Sequence, residues 1–302
     1  MNNILISILG PTAIGKTALS IELARHFKTD IISADSRQFF KEMHIGTAVP
    51  EPEELAAAPH HFIQHLSVEE DYSVGDFERE AIEKITDLFK KHRVVVMAGG
   101  SGLYIKAITE GLDDFPEVDP SIREKLNENL QKKGLDWLQK RLYILDPEYY
   151  KTADVQNPHR VIRALEICLA TGKPFSSFLN KNRSEREFET IKIGLTAERS
   201  IIYDRINRRV DKMIENGLVE EARKLYPKRD LNALNTVGYK ELFNYFDGIW
   251  TLETAISEIK KNTRRFAKRQ LTWFRKDEEI HWFDYKTPPK VIIAFIERTQ
   301  RL

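Results

Sequence analysis

The chain is poor in cysteine. Cys168 is the only one in 302 residues, which excludes an internal disulfide and fits a reducing compartment. It lies in the apolar helical run Ala164-Leu165-Glu166-Ile167-Cys168-Leu169, where packing is the simplest role for a thiol. Long apolar runs are missing too: none reaches the roughly 18–20 residues that a membrane span needs. The start of the chain has no basic stretch ahead of an apolar one, and a motif already begins at Gly10. No signal peptide is therefore expected, and the cytoplasm is the expected location. Neither sign of charge dominates. A formal net charge of +1 gives no global pull toward nucleic acid and leaves any such affinity to local clusters. Repeats and low-complexity segments are absent, and a hydrophobic fraction of 41% is too high for a disordered chain. The length permits one large α/β domain, or a core with a smaller domain inserted.

What is present begins with strands and helices in alternation. Ile4 to Leu9 is a nearly all-apolar run stopped by Gly10, as in a parallel strand buried on both faces. Thr17 to Phe27 has helical spacing, and Asp30 to Ser33 reads as a second strand. Asp76 to His92 places Phe77, Ala81, Ile85, Leu88 and Phe89 on one helical face and leads into a third strand, Val94 to Ala98. This alternation predicts a parallel sheet flanked by helices. The rhythm then changes. Asp119-Pro120 has the form of a helix start, Gly134 and Gly172 sit where helices would end, and no strand pattern occurs until Thr190 to Leu195. A long helix is expected from Arg199 to Asn216, and one last short strand from Ile280 to Asp284. The reading is an α/β fold, a P-loop NTPase-like parallel sheet flanked by helices. Residues 1–116 and 187–302 form its core, and 117–186 form a helical insertion domain.

Gly10-Pro11-Thr12-Ala13-Ile14-Gly15-Lys16-Thr17 matches G-x-x-x-x-G-K-[ST], with a strand before it and a helix after. Glycines let backbone N–H groups turn onto phosphate oxygens, and the helix start adds partial positive charge. Lys16 adds a full charge, and the Thr17 hydroxyl can ligate Mg²⁺. The third strand ends in Ala98-Gly99-Gly100-Ser101-Gly102, without the carboxylate that ATPases of this class use, which weighs against ordinary ATP hydrolysis. Asp35 follows the second strand and so points to the same crevice. It is a candidate base or water-mediated Mg²⁺ ligand, or else a helix cap or surface acid.

From Lys260 to Lys276 there are eight Lys or Arg residues and no acid, with Phe266, Trp273 and Phe274 interleaved. Such a segment is either a solvated helix face or a surface for phosphates and unstacked bases. Arg160 and Arg163, three apart on an expected helix, are a second candidate patch or a pair of surface or ion-paired arginines. Arg205 and Arg209 share a helix face, and both can reach phosphate. His60-His61-Phe62 reads as structural, with no spacing that suggests zinc.

These residues resemble one family, the tRNA dimethylallyltransferases, also called tRNA isopentenyltransferases. The likeness covers essentially the whole chain. Its blocks are Gly10 to Thr17, Ile32-Ser33-Ala34-Asp35-Ser36-Arg37-Gln38 with Ile45-Gly46-Thr47-Ala48, and Ala98 to Tyr104. Then come His159-Arg160-Val161-Ile162-Arg163-Ala164-Leu165-Glu166, Val237-Gly238-Tyr239-Lys240, and Lys268-Arg269-Gln270-Leu271-Thr272-Trp273-Phe274-Arg275. The resemblance implies transfer of a dimethylallyl group from dimethylallyl diphosphate to N6 of adenosine 37 of tRNA, next to the anticodon, with Mg²⁺ as cofactor. It implies that the P-loop, Gly10 to Thr17, holds the donor's diphosphate instead of ATP. Asp35 is implied as the base, Thr12 as a hydroxyl near the reacting centre, and Arg209 as the neutraliser of the leaving group. Ser101 stands where the family more often has threonine, which keeps the hydroxyl. For the anticodon stem-loop of tRNA the family's contacts fall on Asp35, Ser36, Arg37, Gln38, Ser101, His159, Arg160 and Arg163. They continue at Gly238, Tyr239, Lys240, Lys268, Arg269, Gln270, Trp273 and Arg275. A monomer is expected. A small-molecule or nucleotide kinase would use the same P-loop but leaves the acid-free segment unexplained. A non-catalytic RNA-binding module leaves Asp35 without a task, and a related class that prenylates free AMP does not need the long basic segment.

Overall fold

The structure is a computed structural model that describes residues 2–179 and 185–300. Its strands are β1 (Asn3–Leu9), β2 (Ile31–Ser33), β3 (His60–His61), β4 (Val94–Ala98), β5 (Phe188–Thr196) and β6 (His281–Asp284). The helices, in chain order, begin with α1 (Lys16–Phe27), α2 (Pro52–Ala57), α3 (Val74–Phe89) and α4 (Gly102–Glu110). They continue with α5 (Pro120–Lys133), α6 (Leu135–Leu145), α7 (Pro147–Thr152), α8 (Pro158–Thr171) and α9 (Arg199–Glu215). The last four are α10 (Leu218–Leu225), α11 (Tyr239–Phe246), α12 (Leu252–Phe274) and α13 (Pro289–Gln300). No helix among the described residues is long and apolar enough to cross a membrane.

The chain divides into two units, Met1–Thr109 with Arg186–Leu302, and Glu110–Glu185. In the first, six parallel strands run in the order β3-β2-β4-β1-β5-β6. This is the parallel sheet that the alternating pattern predicts, with one strand more than expected: His60–His61 pairs with Ile31–Ile32 at the edge. β1 lies between β4 and β5 and is buried from Ile4 to Leu9. Successive side chains of a strand point to opposite faces. Leu5 and Leu9 therefore join Val95 and Met97 in a core with α3, α10 and α11. Ile4, Ile6 and Ile8 join Val94, Val96 and Ile193 in a second core with α1, α9 and α13. A sheet covered on both faces explains why its strands read as continuous apolar runs.

The second unit contains helices and 3-10 turns and no strand among its described residues. Its bounds fall at 110 and 185, where the sequence reading put 117 and 186. Asp119 caps α5 by accepting from Ser121 N–H at 2.9 Å, with Pro120 as the first helical residue. Gly134 and Gly172 take left-handed or extended positive-φ conformations at the ends of α5 and α8. Leu126, Leu138, Leu142, Leu165 and Ile167 form its core. Asp146 is fully buried there. Its carboxylate accepts from the N–H groups of Tyr149 at 2.9 Å and Ser176 at 2.6 Å, and from the Ser176 hydroxyl at 2.9 Å. Asp146→Ala leaves these partly buried donors without their acceptor, which costs up to about 1–3 kcal/mol per group that water does not reach. Chemical denaturation should show that loss, with Asp146→Asn, which keeps an acceptor oxygen, falling between wild type and Ala.

Candidate active site

The loop between β1 and α1 turns on residues that only an unusual backbone allows. Gly10 has φ 143°, Ala13 64° and Gly15 112°. At Gly10 a Cβ would lie 2.6 Å from the Leu195 carbonyl oxygen of β5, so no side chain fits there. No acid occupies the first turn of α1, which leaves its positive end to an anion. Lys16 Nζ bends back over the loop and donates to the carbonyls of Gly10 at 3.1 Å and Pro11 at 2.9 Å. Burial pulls the Lys16 ammonium down to about 8; Asp35 opposes the shift and Arg209 reinforces it. From α9, Arg205 Nε donates to the Ala13 carbonyl at 2.7 Å, and Arg209 Nη1 lies 3.4 Å from the Thr12 hydroxyl. Burial first, then Arg205, lowers Arg209 from the usual guanidinium value.

β2 and β4 deliver their loops beside this one. Asp35 Oδ1 accepts from Arg37 N–H at 3.2 Å. The Ser101 hydroxyl accepts from Ser36 N–H at 3.1 Å and meets the Ser36 hydroxyl at 3.1 Å. Arg37 donates to the Ala233 carbonyl at 2.9 Å, and Gln38 Nε2 to the Ala48 carbonyl at 2.9 Å, so both brace neighbouring loops. The loop 44–48 is held in turn by Glu221. Its carboxylate accepts from the N–H groups of His44, Ile45 and Gly46 at 3.1, 2.7 and 2.9 Å, and from the Tyr239 hydroxyl at 2.7 Å.

Two cavities open on these groups. One, of about 730 Å³, is lined by the P-loop with Lys16, Thr17, Arg205, Arg209 and Lys212. The other, of about 800 Å³, is lined by Ser36, Arg37 and Gly100 to Tyr104 on one side and Lys240, Trp250, Phe266, Arg269 and Trp273 on another. Thr12, Asp35, Thr47, Ala48, Arg209 and Met213 line both. Beside the second, Arg265, Lys268, Arg269, Thr272, Trp273 and Lys276 line a basic surface groove of about 410 Å³. Phe266 and Trp273 are 38% and 43% exposed on α12, as residues that stack on a ligand must be, and Arg275 follows at its end.

Two of the expected RNA contacts are buried. Tyr239 is fully buried, with its hydroxyl on Glu221, and its place is the core beneath the 44–48 loop. Gln270 is 6% exposed, and both of its amide atoms are bonded inside the protein, to Thr12 and Gly100. Gly238 and Lys240, which flank Tyr239 in its motif, line the second cavity, and so does Gln270. His159, Arg160 and Arg163 lie on α8 in the second unit. There His159 and Arg160 are exposed on the first turn, while Arg163 donates to Glu166 at 3.0 Å. Glu221 and Lys212 went unnoticed in the sequence. Lys212 stands three residues after Arg209, so the helical period would have found it, whereas a glutamate in the first turn of α10, beside Glu220, reads as an ordinary helix start. Among the described residues, no group of three or more His, Cys, Asp or Glu is placed to hold a metal.

Two cavities that share an acid, a hydroxyl and an arginine fit a group-transfer enzyme with two substrates, the phosphorylated one at the P-loop. Comparison with known proteins narrows this. The IPP transferase family model matches residues 38–277. A tRNA dimethylallyltransferase of Christiangramia forsetii is 72% identical over 297 residues, 98% of either chain. That of Flavobacterium psychrophilum is 58% identical, over 97% of this chain and 98% of its own. The solved tRNA isopentenylpyrophosphate transferase of Bacillus halodurans has a TM-score of 0.72 and 40% identity, covering 99% of this chain and 96% of that one. A eukaryotic dimethylallyltransferase acting on tRNA has a TM-score of 0.79 at 27% identity, over 94% of this chain and 74% of that one. The chain belongs to the IPP transferase family of prenyl-transferring enzymes.

The Lys16 shift makes a prediction about anion binding. As pH rises through about 8, the ammonium loses its charge, and affinity for inorganic diphosphate should fall. Lys16→Arg keeps its charge, so the ratio of wild-type to variant affinity, measured calorimetrically, should decline above that pH; a constant ratio would refute the role. The sign for stability is opposite. Between about 8 and 10.5 the unfolded chain binds the extra proton, so this lysine makes the fold more stable as pH rises across that window.

Proposed function

We propose that the protein transfers a dimethylallyl group from dimethylallyl diphosphate to N6 of the adenosine at position 37 of tRNA, releasing diphosphate. The observation that carries this reading is the joint between the cavities, where Thr12, Asp35 and Arg209 border both. The diphosphate belongs to the P-loop side, where backbone N–H groups, Lys16 and Arg209 surround it. The adenine belongs to the other side, where aromatic and basic groups of α12 stand at the rim. An acceptor atom that lies among stacked bases has to be extruded to reach such a joint.

At the joint, the N6 lone pair forms a bond to the allylic carbon, and the C–O bond breaks with its electron pair leaving on diphosphate. Negative charge grows on the leaving group, so Lys16 and Arg209 stabilise the transition state more than the ground state. Asp35 takes the proton that N6 sheds. Alignment of N6 with the carbon supplies much of the rest, because an exocyclic amine is a weak nucleophile. Mg²⁺ is part of the proposal. The Thr17 hydroxyl lines the donor cavity, and a single protein oxygen suits an ion that takes few protein ligands and shares the substrate's phosphates. When bound, it would supply further neutralisation of the leaving group. All of these groups come from one unit of one chain, which supports action as a monomer, and tRNA as substrate supports a cytoplasmic site of action.

The deciding assay offers labelled dimethylallyl diphosphate with unmodified tRNA, with AMP, or with neither. Label should pass to tRNA alone; transfer to AMP, or none at all, would overturn the reading. Asp35→Asn keeps the shape and removes the base, so kcat should fall by ~10²–10⁴ with little change in donor affinity. Neutralising Lys268 and Arg269 together should weaken tRNA binding and flatten its dependence on log salt, by about one unit or less for each phosphate no longer neutralised. Binding isotherms at several salt concentrations, run beside a melting curve, check this. A lower melting point with an unchanged salt slope would make the pair a structural feature of α12.

A further inference from the structure

We propose that Gln270 is a positioning residue for the transfer reaction. Its buried amide sets the Thr12 main chain and the Gly100–Ser101 loop at one spacing, and ties both to the helix that carries the basic segment. The inference rests on the function proposed above.

The geometry is specific. Gln270 Oε1 accepts from Thr12 N–H at 2.9 Å, and Nε2 donates to the Gly100 carbonyl at 2.8 Å. The orientation of the amide follows from chemistry, because an N–H must meet the oxygen and a carbonyl must meet the NH₂. The approach is close enough to exclude a side chain opposite. A Cβ at Gly100 would lie 2.4 Å from Gln270 Nε2, and one at Gly102 would lie 2.4 Å from the Trp273 ring. α12 therefore meets the loop after β4 at Gly100 and Gly102, opposite Gln270 and Trp273, where a larger residue would push the helix off the loop.

Two hydroxyls, Thr12 at the joint and Ser101 in the second cavity, depend on this contact. Thr12 is held on its main chain by Gln270 and faces Arg209 through its hydroxyl. Ser101 follows Gly100 directly and bonds the Ser36 main chain on the far side. Lys268 and Arg269 precede Gln270 on the same helix, so RNA phosphates pulled onto them act on the element that sets the joint. Gln270 lines the second cavity, but polar readout of RNA does not suit it, since both polar atoms are already engaged and only 6% of the residue is exposed. The task needs one acceptor and one donor in a single rigid plane. Glutamate offers two acceptors, and leucine offers neither.

The test compares Gln270→Leu and Gln270→Glu with wild type in single-turnover transfer, tRNA binding across salt, and thermal melting. Gln270→Leu should slow transfer at saturating tRNA by ~10- to 100-fold, the scale of a misplaced reacting group, while tRNA affinity and its salt slope stay unchanged. Gln270→Glu at neutral pH turns a carboxylate oxygen onto the Gly100 carbonyl and should be slow too. Protonation restores a donor there, so its rate relative to wild type should rise as pH falls, which a general loss of stability would not produce. Normal single-turnover rates in both variants would overturn the proposal. So would a loss confined to tRNA affinity, which would make Gln270 a direct RNA contact, or a pH-independent rate ratio for Gln270→Glu. Wild-type protein that transfers nothing would instead refute the proposed function.

Discussion

The carboxyl ends of β1, β2, β4 and β5 approach so closely that side chains have no room between them. A Cβ on Gly10 would lie 2.6 Å from the Leu195 oxygen, and one on Gly99 would lie 2.3 Å from the Ala34 oxygen. Parallel register places these ends at one level, with Ile8 beside Ala98, Ala98 beside Ser33, and Leu9 beside Gly194. Three loops consequently leave the sheet together, and their first residues are small. Chemistry enters only one or two positions later, at Thr12, Asp35 and Ser101, or from above by way of α9 and α12. The joint between the two cavities is thus a consequence of strand register.

A second contact holds the opposite wall. Glu221 binds three successive N–H groups of the 44–48 loop and the Tyr239 hydroxyl, and the Tyr239 ring lies where a side chain on Gly46 would be. A carboxylate that accepts several N–H groups forms stronger bonds than a neutral acceptor would. The Ile45-to-Ala48 block and the Val237-to-Lys240 block are therefore two halves of one support. Gln38 extends it, since its amide joins the Ala48 carbonyl to the turn that begins at Asp35.

How much of this the sequence disclosed depended on whether a feature was local. The P-loop was legible because eight consecutive residues and their flanks contain it. The strands were legible because burial on both faces leaves an apolar run. β3 was not, since two histidines at a sheet edge carry no period. The insertion boundary also escaped. Arg186 donates to the Ala107 and Ile108 carbonyls and pairs with Glu78, which makes it part of the core, yet in the sequence it is one more residue in a polar stretch. Gln270 and Tyr239 show the same limit at the site. Their motifs marked the right segments, but which member faces inward is set by packing that no single segment contains.

Charge gives the last step. A net charge of +1 does not reveal that Lys16, Arg205, Arg209 and Lys212 converge on one cavity, which Asp35, Glu51 and Glu54 also line. Burial and mutual repulsion lower the pKa values of Lys16 and Arg209, so the protein holds positive charge where it is costly. Such a cost is relieved by an anion, and relieved most when that anion carries the most charge. Diphosphate leaving an allylic carbon gains charge as the bond breaks, so the relief grows along the reaction coordinate. An arrangement that merely bound phosphate could use exposed lysines. In the proposed reaction, groups that are buried and crowded in the free protein would instead direct their stabilisation to the step in which the leaving group departs.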